Sequence, residues 1–438
     1  MTMLFQQITD TENIRSAHEN LQKRFYNKVQ KRYNFIPGPD GERFDQLNAD
    51  IEKNLERIQV RLKSEDFSFG PYSERLIPKG GGGNRTIGQF NLRDKIIYHA
   101  IYRVVAPAYD HIFSDSLVSY RKGLGAWDSV LKAMRMARRE NGKYWLFRTD
   151  VRHYVEALDL HILREQLHGL FRTEPEVLRL FLSFLAQPRI VDGVQTLRDK
   201  GSPQGADLTT FFYNLYLKDF DHHMVNEGFR YSRYSDDIIV WARTQDEAMR
   251  ARRAVEQFLK KMKLEIHPSK TFTAAPGEAY EYLGYAFRRL TFTISKKSLG
   301  RLTRWIRRGL RISLYETLMQ RGLTGEESLR IIIQDFQNTR NTQRLMSWLR
   351  YFQRINDPRQ LRAVDKMIRE RILACLAQRF AQQNYKLASP RKLQKQGLHS
   401  LVSLYYRVNQ GRPLPADIQR KLGDQILFSP GMQRARHR

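Results

Sequence analysis

The stretch FRYSRYSDDIIVWA, Phe229 to Ala242, decides how this chain is read. Two adjacent aspartates, Asp236 and Asp237, interrupt a run of aromatic and β-branched residues. The flanks RYSRY and IIVWA both favour strands, and Ser235-Asp236-Asp237 is polar turn material between them. A hairpin is therefore predicted, with the carboxylates at its tip. Neighbours on a regular strand point to opposite faces; a turn relaxes that and lets both acids approach one point. Asp is common in turns for local hydrogen-bonding reasons, so the pair alone is equally compatible with an ordinary turn.

A second strand end supplies another carboxylate. YWLFRTDV, residues 144–151, reads as a buried strand closing on Asp150. Carboxylates on neighbouring strand ends repel one another and call for a cation, and hard oxygen ligands suit magnesium. Two such ions about 4 Å apart would clamp the attacking and leaving oxygens of a phosphoryl transfer.

The charge balance points the same way. Among 438 residues, 75 are Lys or Arg and 46 are Asp or Glu, a formal net charge of +29. A surface this basic suits a polyanion, because neutralised phosphates release counterions. The length implies two or three packed subdomains, and 24 Phe, 21 Tyr and 5 Trp can furnish their cores. The single cysteine, Cys375, excludes a disulfide framework and a thiolate zinc site and fits a reducing cytoplasm. No signal pattern or membrane-length apolar run is seen, so a cytoplasmic protein with no membrane partner is expected.

Outward from the acidic stretch, HENLQKRFYNKVQKRYNF and FDQLNADIEKNLERIQVRLK have helical spacing, with PGPDGE (37–42) as the turn between them. RLIPKGGGGNRTIGQF reads as two strands joined by Gly80–Gly83, a spacing that fits no phosphate-binding fingerprint. Residues 91–139 are helical with an interruption, a helix spans roughly 159–187, and KGSPQG is a turn before the helix ADLTTFFYNLYLKDFDHHM. EAMRARRAVEQFLKKMKL is amphipathic, YEYLGYAF and LTFTIS are strand-like, and the chain from about Ser298 is helical with basic faces. His222-His223 has no partner at ligand spacing.

Asp150, GSPQGADLTTFFYNLYL (201–217), RYSDD (233–237), LEIHPSKT (264–271) and YLGYAF (282–287) resemble, in order and spacing, the palm motifs of reverse transcriptases. RLIPKGGGGNRTI, LRDKIIYHAIYRVV and SYRKGLGAWDSVLKA resemble the fingers blocks of the bacterial, group II intron-like lineage. WLRYF and the helices after it look like its thumb. The resemblance implies an α+β right-hand polymerase fold: an N-terminal helical region (1–70), fingers (71–143), a palm with an antiparallel sheet and the catalytic motifs (144–295), and a helical thumb and C-terminal extension (296–438). It implies RNA-directed DNA polymerase activity on dNTPs, with two Mg2+ ions and Mn2+ as a substitute.

Carried over residue by residue, the resemblance makes Asp150, Asp236 and, as the third acid, Asp237 metal ligands, and Val151 a backbone-carbonyl ligand. Arg85, and more weakly Lys79, match basic residues over the triphosphate. Gln204 and Gly205 match the turn beside template and incoming base, and Lys270 matches the lysine near the leaving pyrophosphate. Each of these basic residues could equally be a solvated charge facing phosphate. The family usually places Phe or Tyr five residues after the motif Asp, against a ribose 2′-hydroxyl. Here that position is Val155, so sugar choice is relaxed or Tyr154 substitutes. The usual Ser-Pro after PQG is Thr209-Thr210, and the helix is expected to start less rigidly for want of the proline.

By elimination of retron, diversity-generating and nuclease-bearing signatures, the chain looks most like stand-alone antiphage reverse transcriptases. That branch implies a structured non-coding RNA template and a nascent DNA, and leaves a homo-oligomer or accessory protein open. The alternatives are a maturase-like RNA-binding protein, and a polymerase with relaxed sugar choice or terminal-transferase activity.

Overall fold

The structure is a computed structural model that describes residues 2–27, 32–78, 84–316 and 323–423. Lys79, the Gly80–Gly83 tip and the C-terminal GMQRARHR lie outside the described residues. The chain divides into two units, residues 1–125 with 145–273, and residues 126–144 with 274–438. Residues 126–143, placed with the fingers segment by sequence order, thus belong to the second unit.

The first unit opens with helices whose apolar residues recur every three or four positions. In Thr11–Phe25 the buried residues are Ile14, Ala17, His18 and Leu21, and the Asp10 carboxylate caps the helix by accepting from the Glu12 N–H at 2.9 Å. Strands β1 (Tyr26–Asn27) and β2 (Arg32–Tyr33) form a short antiparallel pair. Helix Ile51–Lys63 buries Leu55, Ile58 and Leu62. Strands β3 (Tyr72–Pro78) and β4 (Asn84–Gln89) pair antiparallel, as the glycine-joined pattern predicts.

Strand β5 (Trp145–Asp150) ends on the expected aspartate. The single helix expected over 159–187 is two, Leu160–Leu170 and Pro175–Leu185. Pro175 has no N–H to continue a helix and instead starts the second one. Strands β6 (Arg189–Val191) and β7 (Val194–Thr196) are additions to the sequence reading, and β6 joins the glycine-loop sheet parallel to β3. The helix after PQG is likewise two, Asp207–Tyr216 and Lys218–Asn226, divided at Leu217.

Strands β8 (Arg230–Tyr234) and β9 (Asp237–Ala242) form the predicted hairpin. With β10 (Phe272–Ala274) they make a sheet of order β10-β5-β9-β8. All six residues of β9 are buried, which explains why DIIVWA reads as a continuous apolar run after its aspartate: the strand is central and covered on both faces. Each large apolar side chain buried this fully contributes roughly 1.5–3 kcal/mol. Helix Gln245–Lys261 packs on this sheet through Ala248, Ala251, Val255 and Leu259, the two alanines allowing close approach.

The second unit contains an antiparallel meander of β11 (Tyr280–Tyr282), β12 (Tyr285–Arg288) and β13 (Thr291–Ile294). Helices Lys296–Gly309, Gly325–Phe336, Thr339–Tyr351 and Arg359–Ala377 follow, in line with the helical reading of this region. Within it, Arg301, Trp305, Arg344, Trp348 and Tyr351 line a groove of about 560 Å³, and the Arg344 guanidinium lies 4.9 Å from the Trp305 ring centre.

Candidate active site

The hairpin tip is a two-residue turn, Ser235-Asp236, between paired Tyr234 and Asp237. Ser235 adopts φ +58°, a left-handed conformation that costs a residue with a Cβ, so its surroundings must hold it there. They do. The Ser235 N–H donates to Ser119 Oγ at 2.9 Å and the Ser235 carbonyl accepts from Arg233 Nη1 at 3.1 Å. Arg233 and Asp221 are both fully buried and paired, Nη2 to Oδ2 at 2.6 Å and Nε to Oδ1 at 2.8 Å. Two further Arg233 contacts reach the carbonyls of Tyr213 and Asn214 at 3.4 Å. The turn is thus pinned from beneath by a buried cation.

Register brings the second strand end alongside. Asp150 on β5 is the direct partner of Asp237 on β9. The Val151 N–H donates to the Asp236 carbonyl at 2.9 Å, joining the two acidic segments by backbone. The LEIHPSKT segment closes over the same end: the His267 N–H donates to the Asp150 carbonyl and the Arg152 N–H to the Glu265 carbonyl, both at 2.8 Å. A 3-10 turn, Pro268–Lys270, then delivers the Lys270 ammonium to Asp150 Oδ2.

The two neighbouring aspartates differ in their surroundings. Burial, and then the charge of Asp150, raise the Asp236 carboxyl above its ordinary range, against the pull of Lys270 and Arg85. Burial pushes Asp237 up to about 6, with Arg148 opposing it. Both Asp237 oxygens accept from Arg148, Nε at 2.9 Å and Nη2 at 2.7 Å. Asp237, expected as a metal ligand, is therefore held by a guanidinium from its own sheet. Among the described residues no three His, Cys, Asp or Glu side chains gather as a metal cage.

Asp150 and Asp236 nevertheless suit a divalent ion. They are oxygen donors with like charge close together, and the cation that meets Asp150 is Lys270.

The remaining expected residues divide. Arg85 is exposed on β4, within electrostatic reach of Asp236. Gln204 gives its carbonyl to the Gly88 N–H at 2.8 Å and its amide to Glu156 Oε1 at 3.3 Å. Gly205 has φ +109°, and its carbonyl accepts from Lys95 Nζ at 2.8 Å. A Cβ there would come within 3.3 Å of the Gly88 carbonyl oxygen, so this turn wants glycine. Val155 is half-buried and its carbonyl accepts from the Ser202 N–H at 3.0 Å.

Tyr154 requires a correction. It is 2% exposed, and its hydroxyl donates to the Tyr213 carbonyl at 2.6 Å. Its ring packs in the core, so it does not substitute at a nucleotide site for the ring missing at Val155. The helix after PQG is also tied despite lacking proline, for Thr209 Oγ1 donates to the Pro203 carbonyl at 2.6 Å and Thr210 Oγ1 to the Asp207 carbonyl at 2.7 Å. Arg148, Ser119, Asp221 and Arg233 were not marked from sequence. Arg148 could have been, since it stands two residues before Asp150 on one strand and so shares its face.

Comparison with known proteins adds the family. Residues 77–287 match the model of the reverse transcriptase (RNA-dependent DNA polymerase) family. Group II intron-encoded protein LtrA of Lactococcus lactis subsp. cremoris is 22% identical over 288 residues, covering 63% of this chain and 47% of its own. Protein YkfC of Escherichia coli K12 is 21% identical over 294 residues, covering 58% and 76%. An uncharacterized 91 kDa protein in a Schizosaccharomyces pombe cob intron is 22% identical over 202 residues, and the chain spans only 24% of its length. Among solved structures, telomerase from Candida albicans, in complex with a fragment of telomeric RNA, aligns with a TM-score of 0.42 at 12% identity over 84% of this chain and 68% of its own. The matched family segment contains Asp150, the PQG turn, the acidic hairpin and Lys270. Over residues 77–287 the chain is similar to the reverse transcriptase family.

Proposed function

We propose that the chain is an RNA-directed DNA polymerase. The observation that carries this is the meeting of Asp150 and Asp236 on adjacent strand ends, with Lys270 and Arg85 as the cations acting on Asp236.

In this reading Asp150, Asp236 and the Val151 carbonyl would hold the magnesium ions. Bound there, the ions would draw charge from the phosphate oxygens during transfer. The protein's own residues do the rest. Arg85 neutralises triphosphate oxygens; the turn Gln204-Gly205 lies against template and base; Lys270 stands where it can leave Asp150 for the departing pyrophosphate. The primer 3′-hydroxyl gives its proton to solvent water as its oxygen forms a bond to the α-phosphorus, the bond to the pyrophosphate oxygen breaks, and Lys270 can give that leaving group a proton. Asp237 and Arg148 keep the strand ends in register. The net charge of +29 supplies a surface for the phosphodiester strands.

The finer reading is that a structured non-coding RNA serves as template, that the product serves antiphage defence, and that the protein works in the cytoplasm. The +29 charge supports an RNA partner.

The test is extension of a labelled primer on RNA and DNA templates by purified protein with each nucleotide type, beside sequencing of co-purifying nucleic acid. Extension on RNA that Asp236→Asn abolishes is expected. An RNA-binding protein that needs no synthesis would be indifferent to that substitution, and such indifference would overturn the reading.

A further inference from the structure

Tyr213 carries a polar atom that the fold leaves unused. It sits on helix Asp207–Tyr216, is 5% exposed, and its hydroxyl has no hydrogen-bond partner among the described residues. A buried hydroxyl without a partner is unfavourable relative to phenylalanine, whose ring would pack in the same space. Folding therefore gives no reason for the oxygen.

Its neighbours place it beside the catalytic turn. The Tyr213 ring is 5.8 Å from that of Tyr154 and 6.1 Å from that of Tyr120. Tyr120 is in turn 6.3 Å from Tyr234, the residue before Ser235-Asp236. The Tyr213 carbonyl accepts from the Tyr154 hydroxyl and from Arg233, the residue that pins the turn. Glu156, which receives the Gln204 amide, and Arg85 both act on the phenol, and Arg85 acts on Asp236 as well. The hydroxyl thus belongs to the group of residues around the expected nucleotide position.

We propose that the Tyr213 hydroxyl reads the sugar of the incoming nucleotide by hydrogen-bonding one of its hydroxyl groups. A phenol both donates and accepts, as a sugar hydroxyl does, so either orientation is available. The two residues that sequence position suggests for this task are unsuited to it. Val155 has no polar side-chain atom, and the Tyr154 hydroxyl is committed to a backbone carbonyl. The inference rests on the polymerase reading above and adds a residue to its nucleotide site.

The experiment compares wild type with Tyr213→Phe in single-nucleotide incorporation on a primed template. Each enzyme is given a deoxynucleotide, a ribonucleotide and a 2′,3′-dideoxynucleotide, and thermal unfolding is measured without nucleotide. A site that hydrogen-bonds a substrate group rejects the analogue lacking it, so kcat/KM should fall about 10-fold for nucleotides with the hydroxyl that is read and hold for those without. Loss on deoxy- and ribonucleotides with dideoxynucleotide unchanged identifies the 3′-hydroxyl; loss on ribonucleotide alone identifies the 2′-hydroxyl. The unfolding temperature should stay level or rise, since the substitution removes a buried orphan. An equal change on all three nucleotides, or none on any, overturns the inference while leaving the polymerase reading intact. A wild type that extends no primer overturns both.

Discussion

Arg148 holds Asp237 through two hydrogen bonds, Nε to Oδ1 at 2.9 Å and Nη2 to Oδ2 at 2.7 Å, on the same sheet that presents Asp150. The adjacent Asp236 lies in the turn, disfavoured as a carboxylate by burial and by Asp150. Burial raises both carboxyls, but Asp237 has a guanidinium bonded to its two oxygens, whereas Lys270 and Arg85 act on Asp236 only through their charge.

Substituting each by asparagine should separate the two. Asp236→Asn removes an unfavourable charge and is expected to stabilise the metal-free protein by about 1 kcal/mol while abolishing primer extension. Asp237→Asn replaces a charged pair with a weaker amide contact and leaves Arg148 undercompensated, lowering stability by about 1–3 kcal/mol. Chemical denaturation without metal reads both. The same sign of change in the two variants would contradict the division of roles.

The buried Arg233–Asp221 pair yields a second prediction. With both side chains fully buried, Arg233→Met strands the Asp221 carboxylate and should cost about 3–5 kcal/mol. It also withdraws the donor from the Ser235 carbonyl, so extension should fall even where the protein is folded. Pairing it with Asp221→Leu removes the stranded charge. The double variant should recover most of the stability but not the activity, because the turn remains unpinned. A denaturation cycle on the four proteins, with extension assayed for each, checks this; recovery of full activity would argue against pinning.

How much of this was legible in the sequence follows from how local each feature is. The hairpin and the ending of β5 on Asp150 could be read because apolar runs and polar interruptions are patterns within a few residues. The β6–β7 hairpin is also local, and Asp192-Gly193 between its strands was its signal, for that dipeptide favours the left-handed turn seen there at φ +51° and +81°. Its strands of three residues were too short to show alternation. The parallel docking of β6 on β3 crosses more than a hundred residues and left no trace in either segment. The same holds for Arg148, Arg233 and Ser119: their types are unremarkable, and only register and packing give them partners. Tyr154 was misread because its position beside Val155 says nothing of which way its ring turns.

Asp94 gives a pH prediction outside the catalytic cluster. It is 1% exposed, with Oδ2 accepting from the Gly70 N–H at 3.0 Å and Arg61 3.8 Å from Oδ1. Burial raises its carboxyl to about 7, with Arg61 and the Gly70 N–H pulling the other way. The folded protein therefore binds a proton that the unfolded chain releases near pH 4. Stability should fall as pH rises from about 4 to 7, by up to about 1.4 kcal/mol per pH unit, and level off above. Asp94→Asn should remove that slope and be the more stable protein at pH 8. Urea denaturation of both proteins across this range is the measurement, and parallel profiles would exclude Asp94 as the source.

Lys270 offers the sharpest test of how the acidic site is filled. Its ammonium rests on Asp150 Oδ2 although its side chain is 52% exposed, so the pair is accessible and easily parted. A divalent ion approaching Asp150 must compete with that ammonium. Lys270→Met removes the competitor, and the magnesium concentration giving half-maximal extension should fall severalfold. If Lys270 then serves the leaving pyrophosphate as a proton donor, extension at saturating magnesium should drop about 10²-fold in the same variant. Lys270→Arg distinguishes charge from proton transfer, because a guanidinium keeps the positive charge but does not give up its proton. It should restore the magnesium midpoint toward wild type and leave the slow turnover uncorrected. A magnesium titration of the three proteins reads both quantities, and a midpoint that ignores Lys270→Met would mean the ammonium does not occupy the metal's place.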